Sequence, residues 1–403
     1  MVSFDDALKT ILDNVSSVGT EQVPLVEAVG QVLAEAVLAP WDLPLWDNSA
    51  MDGYAVRRED CHSVPCRLRV TGFLPAGVSA EGITVQPGCA VRIMTGAPLP
   101  DGADAVVPVE ETDETSGEQV TIREPVAVGQ HIRRRGEDIR RGERILEAGT
   151  VLRPSEISLL ASCGKPQVAV QRRPVVAILS TGDELVEVGT VPGPGQIINS
   201  NTLALAAAVR EAGAIPRVLG IARDNRLSHL ELMRQGLAAD ALITSAGISA
   251  GDRDLVRVVL DELGVKFLFW KVAIKPGKPT AFGLFEGRPV FCLPGNPVAS
   301  MVTFEEFVRP ALLKMQGRRK VLRPTLRATL REPLKPGSRM RFLRVALERE
   351  GERWYVRSAG NQETGILRTS LAADAVALVP AHTACAAGDE ITVRLLGEQL
   401  VAP

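Results

Sequence analysis

The stretch PVVAILSTGDEL, residues 174–185, runs from five apolar residues, Val175 to Leu179, straight into Ser180, Thr181, Gly182, Asp183 and Glu184. A continuous apolar run ending in small polar residues and a glycine reads as a strand buried on both faces of a parallel sheet. In such sheets the ligand-binding loops lie at the carboxyl ends of the strands. The pattern recurs downstream at Arg217–Ile221, Ala241–Thr244, Phe267–Trp270 and Pro289–Leu293. Helical stretches near 201–212, 227–239 and 253–263 alternate with these strands, and a long helix over about 297–316 closes the unit. The spacing predicts a doubly wound, mostly parallel βαβ domain over residues 173–318.

On either side the rhythm changes. Residues 4–18 and 25–38 place apolar side chains at helical spacing (Phe4, Leu8, Ile11, Leu12, Val15; then Leu25, Val29, Val32, Leu33, Val37) and predict two helices. Residues 45–142 carry short β-type runs between Gly/Pro turns and predict an inserted β-rich domain. A helix over Pro154–Ser162 follows, with proline in the first turn where no donor is needed. Residues 1–44 and 143–172 then form a split helical piece around the insertion. Residues 319–403 return to short strands and predict a C-terminal small β-barrel or sandwich. The fold class is a multidomain α/β protein.

Composition narrows the function. Lys+Arg total 46 against Asp+Glu 48 in 403 residues, and aromatics make up only 4%. Gripping nucleic acid needs excess positive charge and stacking surfaces, so that class is excluded. No apolar run reaches the roughly 18 residues of a membrane helix. Residues Met1–Asp6 lack a signal-peptide pattern, and the six cysteines are scattered without a CxxC pair, so a cytoplasmic protein with reduced thiols is expected.

Four strand ends of the βαβ unit collect polar chemistry on one rim: Ser180–Glu184, Ser245–Asp254, Lys271 to Pro279, and Pro294–Ser300. The chain has nine lysines, and Lys266, Lys271, Lys275 and Lys278 fall within thirteen positions. Point charges clustered in this way suit an anion. Asn296 and Pro297 place a helix start beside them, where free backbone donors would face the same anion. Glu184, Asp252 and Asp254 suit Mg²⁺, which takes one or two carboxylates and leaves its other positions to water and phosphate. Each residue alone reads equally well as a helix cap or a solvated charge; the constellation of four loops points to a phosphate or phosphoanhydride substrate. The chain has no GxxxxGK[ST], no strand–GxGxxG–helix and no HExxH, which excludes a Walker NTPase and leaves ordinary dinucleotide binding unsupported.

Eight ordered segments carry a resemblance: DNSAMDGYAV (47–56), RIMTGAPLPDGAD (92–104), IRRRGEDI (132–139), STGDEL (180–185), GQIINSN (195–201), GISAGDRD (247–254), IKPGKP (274–279) and LPGNPVAS (293–300). Together they resemble the MoeA family, the molybdopterin molybdenumtransferases related to the E domain of gephyrin, over nearly the full chain. The resemblance implies a MogA-like βαβ domain and insertion of molybdate into adenylylated molybdopterin with release of AMP. By motif, Asp52, Thr95, Asp138, Glu184, Asp224, Asp254, Lys271, Lys275 and Ser370 correspond to family active-site residues. Asp52, Glu184, Asp138 and Asp254 are then the catalytic candidates, and Glu184, Asp52 and Asp252 the metal candidates. Thr95, Asp224, Lys271, Lys275, Lys278, Asn296, Ser300 and Ser370 are the substrate candidates.

The resemblance further implies a homodimer whose active site is shared between subunits. It also implies contacts with the upstream adenylyltransferase or the acceptor molybdoenzymes, and no membrane or nucleic-acid partner. Two alternatives stay open: a tungstate-inserting relative, because no residue discriminates the two oxyanions, and a gephyrin-like protein-binding scaffold. Two departures from the family pattern stand out. Ala246 replaces a usual glycine, and the stretch before Asp374 is altered, which touches Ser370.

Overall fold

A computed structural model describes residues 1–115, 117–247 and 255–397. The chain divides into two compact units: residues 1–34, 149–157 and 167–403 form one, and residues 35–148 and 158–166 the other.

The first unit is built on a six-stranded sheet in the order Ile215–Ala222, Val175–Thr181, Ala241–Ser245, Arg288–Leu293, Ala281–Phe285, Lys266–Phe269. The first four strands run parallel, and Ala281–Phe285 is antiparallel to both of its neighbours. Lys266–Phe269 therefore points the same way as the parallel four, and its carboxyl end reaches the same rim. Lys266 opens that strand and lies at the opposite end, so it leaves the lysine group expected from sequence.

Alternation along Val175–Thr181 explains the burial on both faces. Val176 and Ile178 pack with Leu205, Val209 and the closing helix, whereas Ala177 and Leu179 pack with Met233, Leu237, Val256 and Val259. Each of the larger aliphatic side chains, fully buried, contributes about 1.5–3 kcal/mol. The helix Phe4–Asp13 joins the first of these cores. Phe4 packs tilted against Phe307 and edge-on against Phe342, at ring separations of 5.5 and 5.2 Å.

The closing helix is not uniform. Pro297–Thr303 and Arg309–Met315 are α-helical, and Phe304–Val308 between them is a π-turn. Pro310 has no N–H to donate back, and its ring would clash with the carbonyl four residues earlier; the wider turn makes room for it.

The helix expected over 25–38 is absent. Only Leu25–Ala28 forms a short 3₁₀ turn, Gly30 takes a left-handed φ of +79°, and Val32 and Leu33 bridge to Val151 and Val170. Thr20–Pro24 pairs antiparallel with Gln167–Gln171. The apolar spacing at 25–38 was compatible with a helix, but extended pairing buries Val32 and Leu33 instead.

At the C-terminal end, strands Met340–Glu350, Arg353–Ser358, Thr325–Leu330, Glu390–Leu395 and Ala375–Val379 pair in turn, and the last pairs back with the first. The sheet closes on itself as a small barrel. Ile274–Lys275 adds to its edge, setting Lys275 opposite Arg341. The buried ion pair Glu306–Arg394 ties the barrel to the π-turn.

The second unit holds another six-stranded sheet, in the order Ala105–Pro108, Gly53–Val56, Cys89–Ile93, Cys66–Leu74, Gln119–Ile122, Thr112–Thr115. Tyr54, Val56, Val107, Val120 and Ile122 form its core. Gly53 is required where it stands: a Cβ there would lie 1.9 Å from the Val107 carbonyl oxygen.

Candidate functional site

The rim of the parallel sheet holds a cleft of about 250 Å³, lined by Ser180, Glu184, Asn199, Asn201, Ser245, Ala246, Gly295 and Asn296 among others. Glu184 is exposed into it from the turn after Val175–Thr181. Gly182 makes that placement possible. It adopts φ +141°, and a Cβ there would sit 2.3 Å from Glu184 Oε2. Across the cleft, Asn201 Nδ2 donates to Ser245 Oγ at 3.0 Å and to the Gly295 carbonyl at 2.8 Å, fixing two of the loops against each other. Asn199 Oδ1 accepts from Ser180 Oγ and from Thr202, while its buried Nδ2 has no partner among the described residues. The donor set is oxygen-rich and without thiols, which suits a hard cation or a polar ligand.

Ala246, the departure from glycine, has φ +75°, a region that costs an L-residue about 1–2 kcal/mol. Gly295 faces it, and a Cβ on Gly295 would lie 2.9 Å from the Ala246 Cβ. Replacing Ala246 with glycine removes this strain and adds about 0.4–1 kcal/mol of unfolded-state entropy. The expected net effect is unchanged stability or a gain of up to about 1.6 kcal/mol. Denaturant midpoints check this; a clear fall would mean that the methyl's packing outweighs the backbone strain.

A second and larger cavity, about 620 Å³, lies between Lys275–Pro276 and the barrel and is lined by Arg341, Arg344, Arg357 and the loop 361–365. Arg344 is buried. Its Nη2 donates to the carbonyls of Asn361 and Glu363, and Gln362 exchanges hydrogen bonds with its backbone. Burial lowers the Arg344 pKa from its ordinary value. Thr364 stands between the two cavities. Its carbonyl accepts from Val298 N–H at 3.2 Å and its Oγ1 from Asn296 Nδ2 at 2.8 Å. Asn296 is the N-cap residue of the helix that follows, as expected, but its side chain makes no capping bond, and one backbone donor expected to face an anion, Val298 N–H, is already engaged.

The remaining candidates fall in several places. Lys275 lines the larger cavity; Lys271 is half-buried and Lys278 exposed nearby in sequence, and neither lines either cavity. Ser300 is buried, 1% exposed, so its hydroxyl is withdrawn into the helix packing. Ser370 lies exposed on the short helix Arg368–Leu371 and lines neither cavity. Asp224 braces the Glu184 turn: its N–H donates to Asp183 Oδ1 at 3.1 Å, and its Oδ2 accepts from Asp183 N–H at 3.4 Å. Asp252 and Asp254 lie outside the described residues. No group of three or more His, Cys, Asp or Glu able to hold a metal is found among the described residues.

In the second unit, Asp52 and Thr95 meet directly. Asp52 Oδ1 accepts from both the Thr95 N–H and the Thr95 hydroxyl, each at 2.7 Å. The backbone bond first and the hydroxyl second hold the Asp52 carboxyl below its ordinary value of 3.8. These bonds therefore favour the folded state above that ordinary value and are lost as pH falls through the lowered one. Replacing Thr95 with valine keeps the larger, backbone contribution. The Asp52 pKa is expected to rise but stay below 3.8, as a carboxyl-carbon NMR titration would read. Asp138 is exposed after the arginine run. Part of that run is already paired: Arg134 with Asp47 at 2.7 Å and Arg135 with Asp42 at 2.6 Å.

Sequence reasoning missed Arg341 and Arg344, hidden in an arginine-rich chain, and Asn199 and Asn201, quoted only as part of a motif. Arg223 and Thr364 gave no local signal, because their partners lie far away in sequence.

A polar cleft at the carboxyl ends of a parallel sheet, beside a cavity lined by Lys275, three arginines and the glutamates Glu332 and Glu363, gives an α/β protein a setting suited to a small anionic ligand. Family models agree over three segments: the MoeA N-terminal region (domain I and II) at residues 2–164, a probable molybdopterin binding domain at 177–314, and the MoeA C-terminal region (domain IV) at 327–396. A molybdopterin molybdenumtransferase 2 of Mycobacterium tuberculosis is 42% identical over 341 residues, covering 81% of this chain and 83% of that one. A molybdopterin molybdenumtransferase of Nostoc is 39% identical over 389 residues, covering 94% and 89%. The crystal structure of a molybdopterin biosynthesis MoeA protein from Pyrococcus horikoshii superposes with a TM-score of 0.84 at 32% identity, covering 98% of this chain and 99% of that one. The chain belongs to the MoeA family.

Proposed function

We propose that this chain is a molybdopterin molybdenumtransferase, inserting molybdate into adenylylated molybdopterin with release of AMP. The observation that carries the reading is the pairing of a Glu184-lined, oxygen-rich cleft with a cavity lined by Lys275, Arg341 and Arg344. The cleft suits the substrate's polar pterin and phosphates, and the cationic cavity suits an oxyanion. Family membership, with relatives that carry this name at 39–42% identity, supports the same reaction. No helix among the described residues is long and apolar enough to cross a membrane. We assign the reaction to the cytoplasm.

In the proposed mechanism Glu184 places its carboxylate at the phosphoanhydride, and Asn199 Nδ2 donates to a polar substrate edge. Lys271, Lys275 and Lys278 offset the charge of molybdate and phosphate, and Asp138 and Asp254 complete the polar surround. Mg²⁺ held by Glu184, with Asp52 and Asp252, would neutralise developing phosphate charge. The rate then comes mainly from positioning and charge stabilisation.

The proposal includes a homodimer in which Asp52, Thr95 and Asp138 complete the site of a second copy. It also keeps the division into 1–44 with 143–172, 45–142, 173–318 and 319–403. Mixing the inactive variants Asp52→Ala and Glu184→Ala tests the shared site. Exchange of subunits should restore roughly a quarter of wild-type activity through mixed dimers with one intact site. Two inactive pools that stay inactive when mixed, despite demonstrated exchange, would place both residues in one subunit's site.

A further inference from the structure

We propose that Arg223 is a positioning residue for Glu184, holding its backbone from both sides while leaving its carboxylate open to the cleft. The proposal rests on the role given to Glu184 above.

Arg223 follows the strand Ile215–Ala222. Its Nη1 donates to the carbonyl of Asp183 at 3.3 Å and to the carbonyl of Leu185 at 3.0 Å, the two residues flanking Glu184. Its own N–H donates to Ser228 Oγ at 3.0 Å, which fixes the arginine against the start of the helix Arg226–Leu237. The reciprocal Asp183–Asp224 bonds and Gly182 N–H to Ala222 carbonyl at 3.1 Å lock the two turns together. On the other side Ile197 N–H donates to the Glu184 carbonyl at 2.8 Å. Glu184 therefore has every nearby backbone oxygen from 183 to 185 engaged, while its side chain faces the 250 Å³ cleft.

Both bonds come from one nitrogen, Nη1, whose two hydrogens are fixed in the guanidinium plane; a lysine ammonium rotating on a flexible stem would hold the same carbonyls with less order. Without the bridge the turn keeps its sequence and loses its aim. A displacement of about 1 Å at a reacting group is enough to cost around 10²-fold in rate.

The test compares Arg223→Ala, Arg223→Lys, Glu184→Ala and the double variant Arg223→Ala/Glu184→Ala in the purified full chain. Two readouts are taken: conversion of adenylylated molybdopterin and molybdate, and amide hydrogen exchange over residues 182–186. The expected result is a kcat for Arg223→Ala lowered about 10- to 100-fold with little change in KM. Exchange at the Gly182 and Asp183 amides, which bond across to Ala222 and Asp224, should rise; Arg223→Lys should recover part of the rate, and Arg223→Ala should add no loss once Glu184 is already alanine. A wild-type rate for Arg223→Ala, or a loss that multiplies with that of Glu184→Ala, would overturn the proposal. Unchanged exchange at the Gly182 and Asp183 amides would overturn it too, whatever the rates. Should Glu184→Ala alone prove fully active, the catalytic reading of Glu184 fails and this inference falls with it. Increased exchange in Arg223→Ala would then mark a structural brace only. Should Arg223→Ala fail to fold, Arg223→Lys carries the same comparisons.

Discussion

Replacing Glu184 with alanine is expected to lower the rate of molybdenum insertion by about 10²- to 10³-fold while leaving the unfolding midpoint unchanged. The carboxylate is exposed, lines the cleft and stands above a glycine that exists to let it fold back. The turn is braced through its backbone by Asp183, Arg223, Asp224 and Ile197, so removing the side chain leaves those bonds in place. A group that holds charge only in the reaction lowers kcat more than it raises KM. Single-turnover rates beside thermal denaturation check this. A variant with wild-type rate would remove Glu184 from the chemistry, and one that fails to fold would make it structural.

Replacing Glu306 with alanine is expected to destabilise the first unit by about 3–5 kcal/mol, the largest stability effect anticipated here. Glu306 and Arg394 form an ion pair with side chains 2% and 10% exposed, joining the π-turn to the barrel. Removing one partner leaves a buried arginine that cannot shed its charge, with Glu305 as the other carboxylate acting on it. The cost of that uncompensated charge exceeds the net worth of the pair. For this reason Glu306→Leu/Arg394→Met should recover most of the loss, since packed apolar groups replace a desolvated pair. Denaturant unfolding of the three chains decides the matter. A loss under about 1 kcal/mol for Glu306→Ala, the value of an exposed pair, would mean that water reaches this site.

Much of the fold was legible because apolar burial leaves a periodic trace. Val175–Thr181 and Ala241–Ser245 are buried on both faces, so their runs are continuous and their ends stand out. The same reasoning misread residues 25–38, where helical spacing coincided with residues buried by bridges to a segment more than a hundred positions away. The π-turn was invisible for a related cause: Phe304, Phe307 and Val308 are buried, and their spacing fits an uninterrupted helix.

The site was legible to the extent that its residues sit at strand ends. Glu184 and Asn296 reach one cleft as their positions imply. Ser300 does not, because one more helical turn carries it into the interior. Lys275 meets Arg341 only through a barrel-edge pairing that no local pattern announces. Arg223 and Thr364 bond to segments distant in sequence, Arg223 to the 183–185 turn and Thr364 to Asn296 and Val298, so no local pattern marked them.

The most direct measurement is the reaction itself. Purified chain, incubated with adenylylated molybdopterin, molybdate and Mg²⁺, should release AMP in step with formation of cofactor able to activate a molybdoenzyme apoprotein. Neither product should form when molybdate is omitted. AMP release without active cofactor, or no AMP at all from a folded protein, would contradict the account.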